Sequence, residues 1–227
     1  MATVYAESSD GYVASFNKAN WALARAALTG NGISSTFGGA SAGISAYRQL
    51  GRGGTFTFTV YRSFFSFNTS GISSTVDSAT LKIYGYSQNS GDVIAVKSNS
   101  DISTLGTPDF NAIAGWNATG TDGSGGADME SSVTKYSNEI ASWSTSGYND
   151  ITLNAQALSD MENDSMIYIA MLNYDYDLKD INPGSATDTK NGLYYQNSSG
   201  TSRDPYIDYT LAAVTPTDNA VFFGTNF

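Results

Sequence analysis

The chain has no cysteine and no histidine among its 227 residues. Without cysteine there is no disulfide and no thiolate nucleophile, and redox chemistry says nothing about compartment. Without histidine there is no Ser-His-Asp triad and no imidazole for zinc. The side chain most often used as a general base near neutral pH is missing too. Proline is scarce, with four residues, and charge is sparse and one-sided, with 11 Lys and Arg against 21 Asp and Glu. The formal net charge of −10 repels phosphate backbones, so no nucleic-acid partner is expected. No apolar run approaches the roughly 20 residues of a membrane helix, so no membrane partner is expected either. The opening M-A-T-V-Y-A-E-S-S-D has neither a basic segment nor an apolar stretch behind it. A secretory leader is therefore not expected, and synthesis in a cytoplasm is.

What the chain does have is aromatic residues and turn formers: 15 Tyr, 11 Phe, 3 Trp and 23 Gly. Such residues suit half-buried pleated strands joined by tight connections. Strands are expected at 4–6, 12–16, 55–67, 78–86, 93–98, 147–154, 165–172, 192–196 and 205–211. The strongest alternation is T-F-T-F-T-V within 55–67, and S-M-I-Y-I-A-M-L at 165–172 is apolar enough for a central strand buried on both faces. Residues 21–28 read as a helical turn or a strand, 30–43 and 106–130 as loops, and 136–143 as helix-compatible. A-Q-A-L-S-D-M at 155–161 reads as a short helix capped by Asn154. The expected fold is all-β: a two-sheet antiparallel jelly-roll sandwich with long loops and one or two short helices. Residues 1–214 form its single domain, and 215–227 form a hinge and an apolar tail.

Three stretches carry a resemblance: R-S-F-F-S-F-N-T-S-G-I at 62–72, S-A-T-L-K-I-Y at 78–84 and S-R-D-P-Y-I-D-Y at 202–209. Their order resembles jelly-roll modules of the DNRLRE and carbohydrate-binding type. W-S-T-S-G-Y-N-D-I-T-L-N at 143–154 and the tail N-A-V-F-F-G-T-N-F look like virion structural proteins of tailed phages. The likeness covers about residues 55–227. It implies a non-enzymatic virion structural protein, a capsid decoration or a head or tail fibre component at the virion surface. Its partners would be capsid or other virion proteins and further copies of itself, a trimer being usual for such parts. The alternative is an adhesin module that recognises host-surface glycans.

Candidate sites divide accordingly. Glycan stacking would use Trp116, Trp21, Tyr174 and Tyr176, set against the reading that such large aromatics fill a core. Asp175, Asp177 and Asp180 follow the most apolar strand and supply the carboxylates that a Ca²⁺ ion would take. Asp175 with Asp177, or Asp122 with Glu130, are the clustered carboxylates that glycoside hydrolysis would need, but no spacing singles out an acid and a nucleophile. Docking onto a neighbouring subunit or capsid would use Val221, Phe222, Phe223 and Phe227 in the tail.

The segment V-Y-R-S-F-F-S-F at 60–67 splits by alternation. Tyr61, Ser63, Phe65 and Phe67 share one face, and Val60, Arg62, Phe64 and Ser66 the other. Phenylalanines on both faces make a framework strand rather than a sugar platform. Arg62 then needs a partner, and Asp208 on the closing strand is the expected one.

Overall fold

The computed structural model describes residues 1–34, 40–51, 53–87, 89–99, 101–117, 127–184, 189–197 and 200–213. Their eleven strands are β1 (Ala2–Tyr5), β2 (Gly11–Lys18), β3 (Gly32–Ser34), β4 (Ala40–Leu50), β5 (Phe56–Asn68), β6 (Val76–Tyr84), β7 (Val93–Lys97), β8 (Tyr148–Thr152), β9 (Met166–Asn173), β10 (Lys190–Leu193) and β11 (Tyr206–Leu211). Two short helices, α1 (Trp21–Arg25) and α2 (Ala155–Asn163), accompany them. All strand pairings are antiparallel. The expected all-β, two-sheet sandwich is what the chain forms.

The smaller sheet has the order β1-β11-β6-β8. The larger is organised by β5, thirteen residues long. One edge of β5 pairs with β2 over residues 58–64, and the other carries β4 over residues 56–61 and then β9 over residues 63–68. Because Ser63 and Phe64 pair with both β2 and β9, those two strands lie on opposite edges. Strands β10 and β7 extend the sheet beyond β4 and β9, and β3 extends it beyond β2.

The alternation of β5 now has a physical meaning. Phe65 and Phe67 enter the core between the two sheets, with Leu81, Ile83, Ile151, Ile169 and Ile207. Val60 and Phe64 enter a second core on the far side of the larger sheet, with Phe110, Ile113, Leu172 and Leu178. Helix α1 and the connections around residues 102–116 and 129–133 roof that second core. The molecule therefore has three layers: sheet, sheet and a layer of connections.

Two local expectations are corrected. The Gly30–Gly43 stretch contains β3 and the start of β4, an eleven-residue strand written largely in Ala, Ser and Gly. Small residues are needed there: a Cβ on Gly43 would stand 2.8 Å from both the Leu193 side chain and the Tyr195 hydroxyl. Residues 136–143 are not helical; the segment runs beside β7, with bridges Val96↔Lys135 just before it and Val93↔Ile140 within it. Buried Tyr136 and Trp143 anchor that segment and outweigh its composition. The acidic stretch after β9 is a π-helical turn, Tyr174–Leu178, closed by Asn173, whose side chain accepts from the Tyr176 amide. Helix α2 follows its expected signal, with Asn154 accepting from the Gln156 and Ala157 amides.

Candidate functional site

Most residues singled out in the sequence converge on one place, the second core beneath the connections. At its centre lies Arg62, fully buried on β5. Its Nε and Nη2 donate to the two oxygens of Asp177, each at 2.8 Å. Nη1 donates to the Phe110 carbonyl (2.6 Å) and Asn111 Oδ1 (2.8 Å), and Nη2 also to the Arg25 carbonyl (3.1 Å). All five guanidinium N–H groups are thus matched. Its Cζ lies 4.0 Å from the Phe110 ring centre and 4.1 Å from that of Trp116. Gly115 has φ +84°, and a Cβ there would collide with the Ser132 carbonyl, so only glycine sets Trp116 at this turn.

Arg25, at the end of α1, joins the same knot. It donates to the carbonyls of Asp177, Ala127 and Leu178, and its Nη1 lies 3.5 Å from Asp180 Oδ1. Burial pushes its guanidinium down from the usual value, and the charges of Asp177 and Asp180 oppose that shift. Trp21 is buried, with its indole N–H donating to Asp180 Oδ1 at 2.9 Å. Tyr174 is half-buried and donates to Glu130 Oε1 at 2.8 Å, and half-buried Tyr176 packs against the second core.

Two expectations are overturned here. Arg62 does not pair with Asp208. Its side chain faces the roofing layer, while Asp208 stands on the outer face of the other sheet and accepts from the Thr3 hydroxyl at 2.7 Å. The two lie on opposite sides of the central core.

Asp175, Asp177 and Asp180 do not converge as a Ca²⁺ cage. Asp177 faces Arg62, Asp180 faces Trp21 and Arg25, and Asp175 faces Lys179 at 3.5 Å. Guanidinium, indole and ammonium groups stand where a cation's charge would act. Among the described residues, no group of three or more acidic side chains gathers as a metal site.

Of the stacking set, Trp21 is buried in the second core, while Trp116, Tyr174 and Tyr176 are half-buried and pack against it. Val221, Phe222, Phe223 and Phe227, with Asp122, lie outside the described residues.

A second buried polar cluster fastens α2. Asp160 accepts from Lys97 (2.9 Å), Gln156 (2.9 Å) and Tyr136. Burial alone would raise the carboxyl, but these hydrogen bonds outweigh it and hold the group below its usual range. The Tyr136 phenol moves the opposite way, raised by burial and by Asp160.

The third feature lies where the chain crosses between sheets. Asp10 is 0% exposed and Asp204 3% exposed, and each has an Oδ1 with no hydrogen-bond partner among the described residues. Asp10 Oδ2 accepts from the Gln196 amide at 2.9 Å, and the Ala6 amide donates to the Pro205 carbonyl at 2.9 Å. Burial, with a smaller contribution from the Asp204 charge, pushes the Asp10 carboxyl up to about 8. It therefore holds a proton at neutral pH.

Sequence reasoning missed the exposed aromatic row altogether. On the outer face of the smaller sheet, tyrosines follow one another in the order Tyr5, Tyr206, Tyr148, Tyr84, Tyr194 and Tyr86. Successive ring centres are 5.6, 5.0, 5.1, 5.7 and 5.0 Å apart. Apart from the tilted Tyr5–Tyr206 pair, they meet edge to face at 71–79°. Tyr5 is 53% exposed and Tyr86 44%. The one signal in the sequence is alternation: Tyr84, Tyr148 and Tyr206 occupy the outward positions of β6, β8 and β11. Their assembly into a row depends on strand order.

No protein-family model matches this chain, and no curated protein sequence matches it significantly.

Proposed function

We propose that the chain is a non-enzymatic structural protein of a tailed-phage virion, a capsid decoration or a head or tail fibre component. It acts through contacts with further copies of itself and with capsid or other virion proteins, at the virion surface. The observation that supports this reading is the Arg62 knot. One guanidinium ties α1, the 110–111 turn and the turn after β9 to the longest strand, with every donor satisfied. The buried Arg62–Asp177 pair holds connections of the roof against the larger sheet. A subunit that must keep its shape within a particle needs that rigidity. An exterior with net charge −10 suits a part that faces solvent and must not adhere to other polyanions.

The test is the copy number of the chain in purified particles, by quantitative mass spectrometry. Hundreds of copies per particle mean decoration, and a few to a few dozen mean a fibre or tail part. Absence from purified particles overturns the proposal. Deleting residues 216–227 is expected to abolish attachment to particles while leaving the melting transition of the sandwich in place.

A further inference from the structure

The outer face of the smaller sheet carries a cation whose side chain makes no hydrogen bond among the described residues. Arg203 is exposed, and among the described residues it has no ion pair and no hydrogen bond from its side chain. Its guanidinium carbon lies 4.6 Å from the Tyr194 ring centre and 5.5 Å from that of Tyr84. The connection that carries it is pinned from below, because the Tyr148 hydroxyl donates to the carbonyls of Ser202 (3.1 Å) and Asp204 (3.2 Å). Arg203 is thus held over the tyrosine row while its N–H groups remain available. From this geometry we propose that the tyrosine row is a glycan-binding face, and that it selects a sugar bearing a carboxylate, which Arg203 receives.

Each component of the face fits that ligand. The planar guanidinium matches a carboxylate in a two-bond fork. The hydroxyls of Tyr5, Tyr86, Tyr194 and Tyr206 make no hydrogen bond among the described residues, so they can meet sugar hydroxyls. Ring faces offer the apolar surface on which the C–H side of a sugar packs. Because neighbouring rings are turned edge to face, the row contacts separate sugar units of a twisted chain rather than a flat crystalline one.

Charge narrows the class further. The neighbouring Lys82 is paired with Asp150 at 2.6 Å, whereas Arg203 has no ion pair among the described residues. A single carboxylate is drawn to that point, while the net charge of −10 opposes a dense polyanion. A protein partner fits less well. The row runs across a sheet face rather than along an edge, so strand addition is not on offer there. The clefts around Lys97 and Met166, around Glu7 and Asp101, and around Asp128 and Lys135 are lined by residues outside the row, so none of these three gives it a socket for an anchoring side chain.

The inference does not rest on the virion reading, since it concerns the isolated chain in solution. The test is calorimetric titration of the full chain with a panel of uronic-acid oligosaccharides, each beside its carboxyl-reduced neutral form. Saturable binding to at least one acidic member is expected, weakened at least tenfold by carboxyl reduction and at least tenfold by Arg203→Gln. Arg203→Lys should recover only part of the loss, and Tyr194→Ala should weaken both acidic and neutral forms. The melting temperature of Arg203→Gln should match that of the parent. No saturable binding to any acidic member overturns the proposal, as does equal affinity for the reduced forms or equal affinity in Arg203→Gln. If Arg203→Gln or Tyr206→Ala instead converts an oligomer to a monomer in light scattering, the row is a protein interface and the glycan assignment fails.

Discussion

Two arginines, Arg62 and Arg203, both lie against pairs of aromatic rings, yet they stand in opposite physical situations. Arg62 is buried between the larger sheet and its roof, with five matched donors and a carboxylate held by two bonds. Arg203 lies on an open face over two tyrosines, with no charge partner among the described residues. The difference teaches that an aromatic-plus-arginine cluster has no function by itself. Desolvation makes Arg62 and Asp177 depend on each other, because either charge left alone there would be uncompensated. Solvent makes Arg203 dispensable to the fold and free to serve a ligand.

The largest effect that would break this comparison is at Asp177. Replacing it with Ala leaves the Arg62 guanidinium buried without its counter-charge. Urea denaturation should then show a loss of roughly 3–5 kcal/mol. A loss below about 1 kcal/mol would mean that the knot is ornamental rather than structural.

The second test concerns Asp10, a buried charge site with no cation. Its folded-state value, about 8, lies above the ordinary 3.8. Between those values the folded chain keeps a proton that the unfolded chain has released. The stabilisation is therefore full below about pH 4 and is lost as pH rises towards 8, with a limiting slope of about 1.4 kcal/mol per pH unit. Asp10→Asn should flatten the stability profile between pH 5 and 8, and an unchanged profile would remove Asp10 as its source.

The smallest effect sharpens the contrast from the other side. Arg203→Gln should change stability by less than about 1 kcal/mol, the range of an exposed cation–π contact. A larger loss in thermal melts would show that Arg203 is part of the framework after all.

How much of this was legible in the chain follows from the range of each interaction. Most strands, the Asn154 cap of α2 and the two-faced character of β5 rest on alternation and local hydrogen bonding, which neighbouring residues determine. Strand β4 was hidden because its burial needs small residues that read as loop. Residues 136–143 look helical in composition, but two buried aromatics hold them beside β7. Trp21, Arg62, Trp116 and Asp177 stand out in the sequence, and the fold brings them to the same core. Their meeting buries them, so the sequence signal was for chemistry that the fold uses internally.

The sequence alone determined that this is an all-β chain without thiol or imidazole chemistry, with an acidic exterior and with Arg62 on the face of β5 opposite Phe65 and Phe67. Those properties depend on composition and on a period of two. Only the tertiary structure decided that Asp177 rather than Asp208 neutralises Arg62, and that six tyrosines from five separate segments form one row with Arg203 over two of them. Those outcomes depend on which strands become neighbours, a matter of long-range packing that no local window contains.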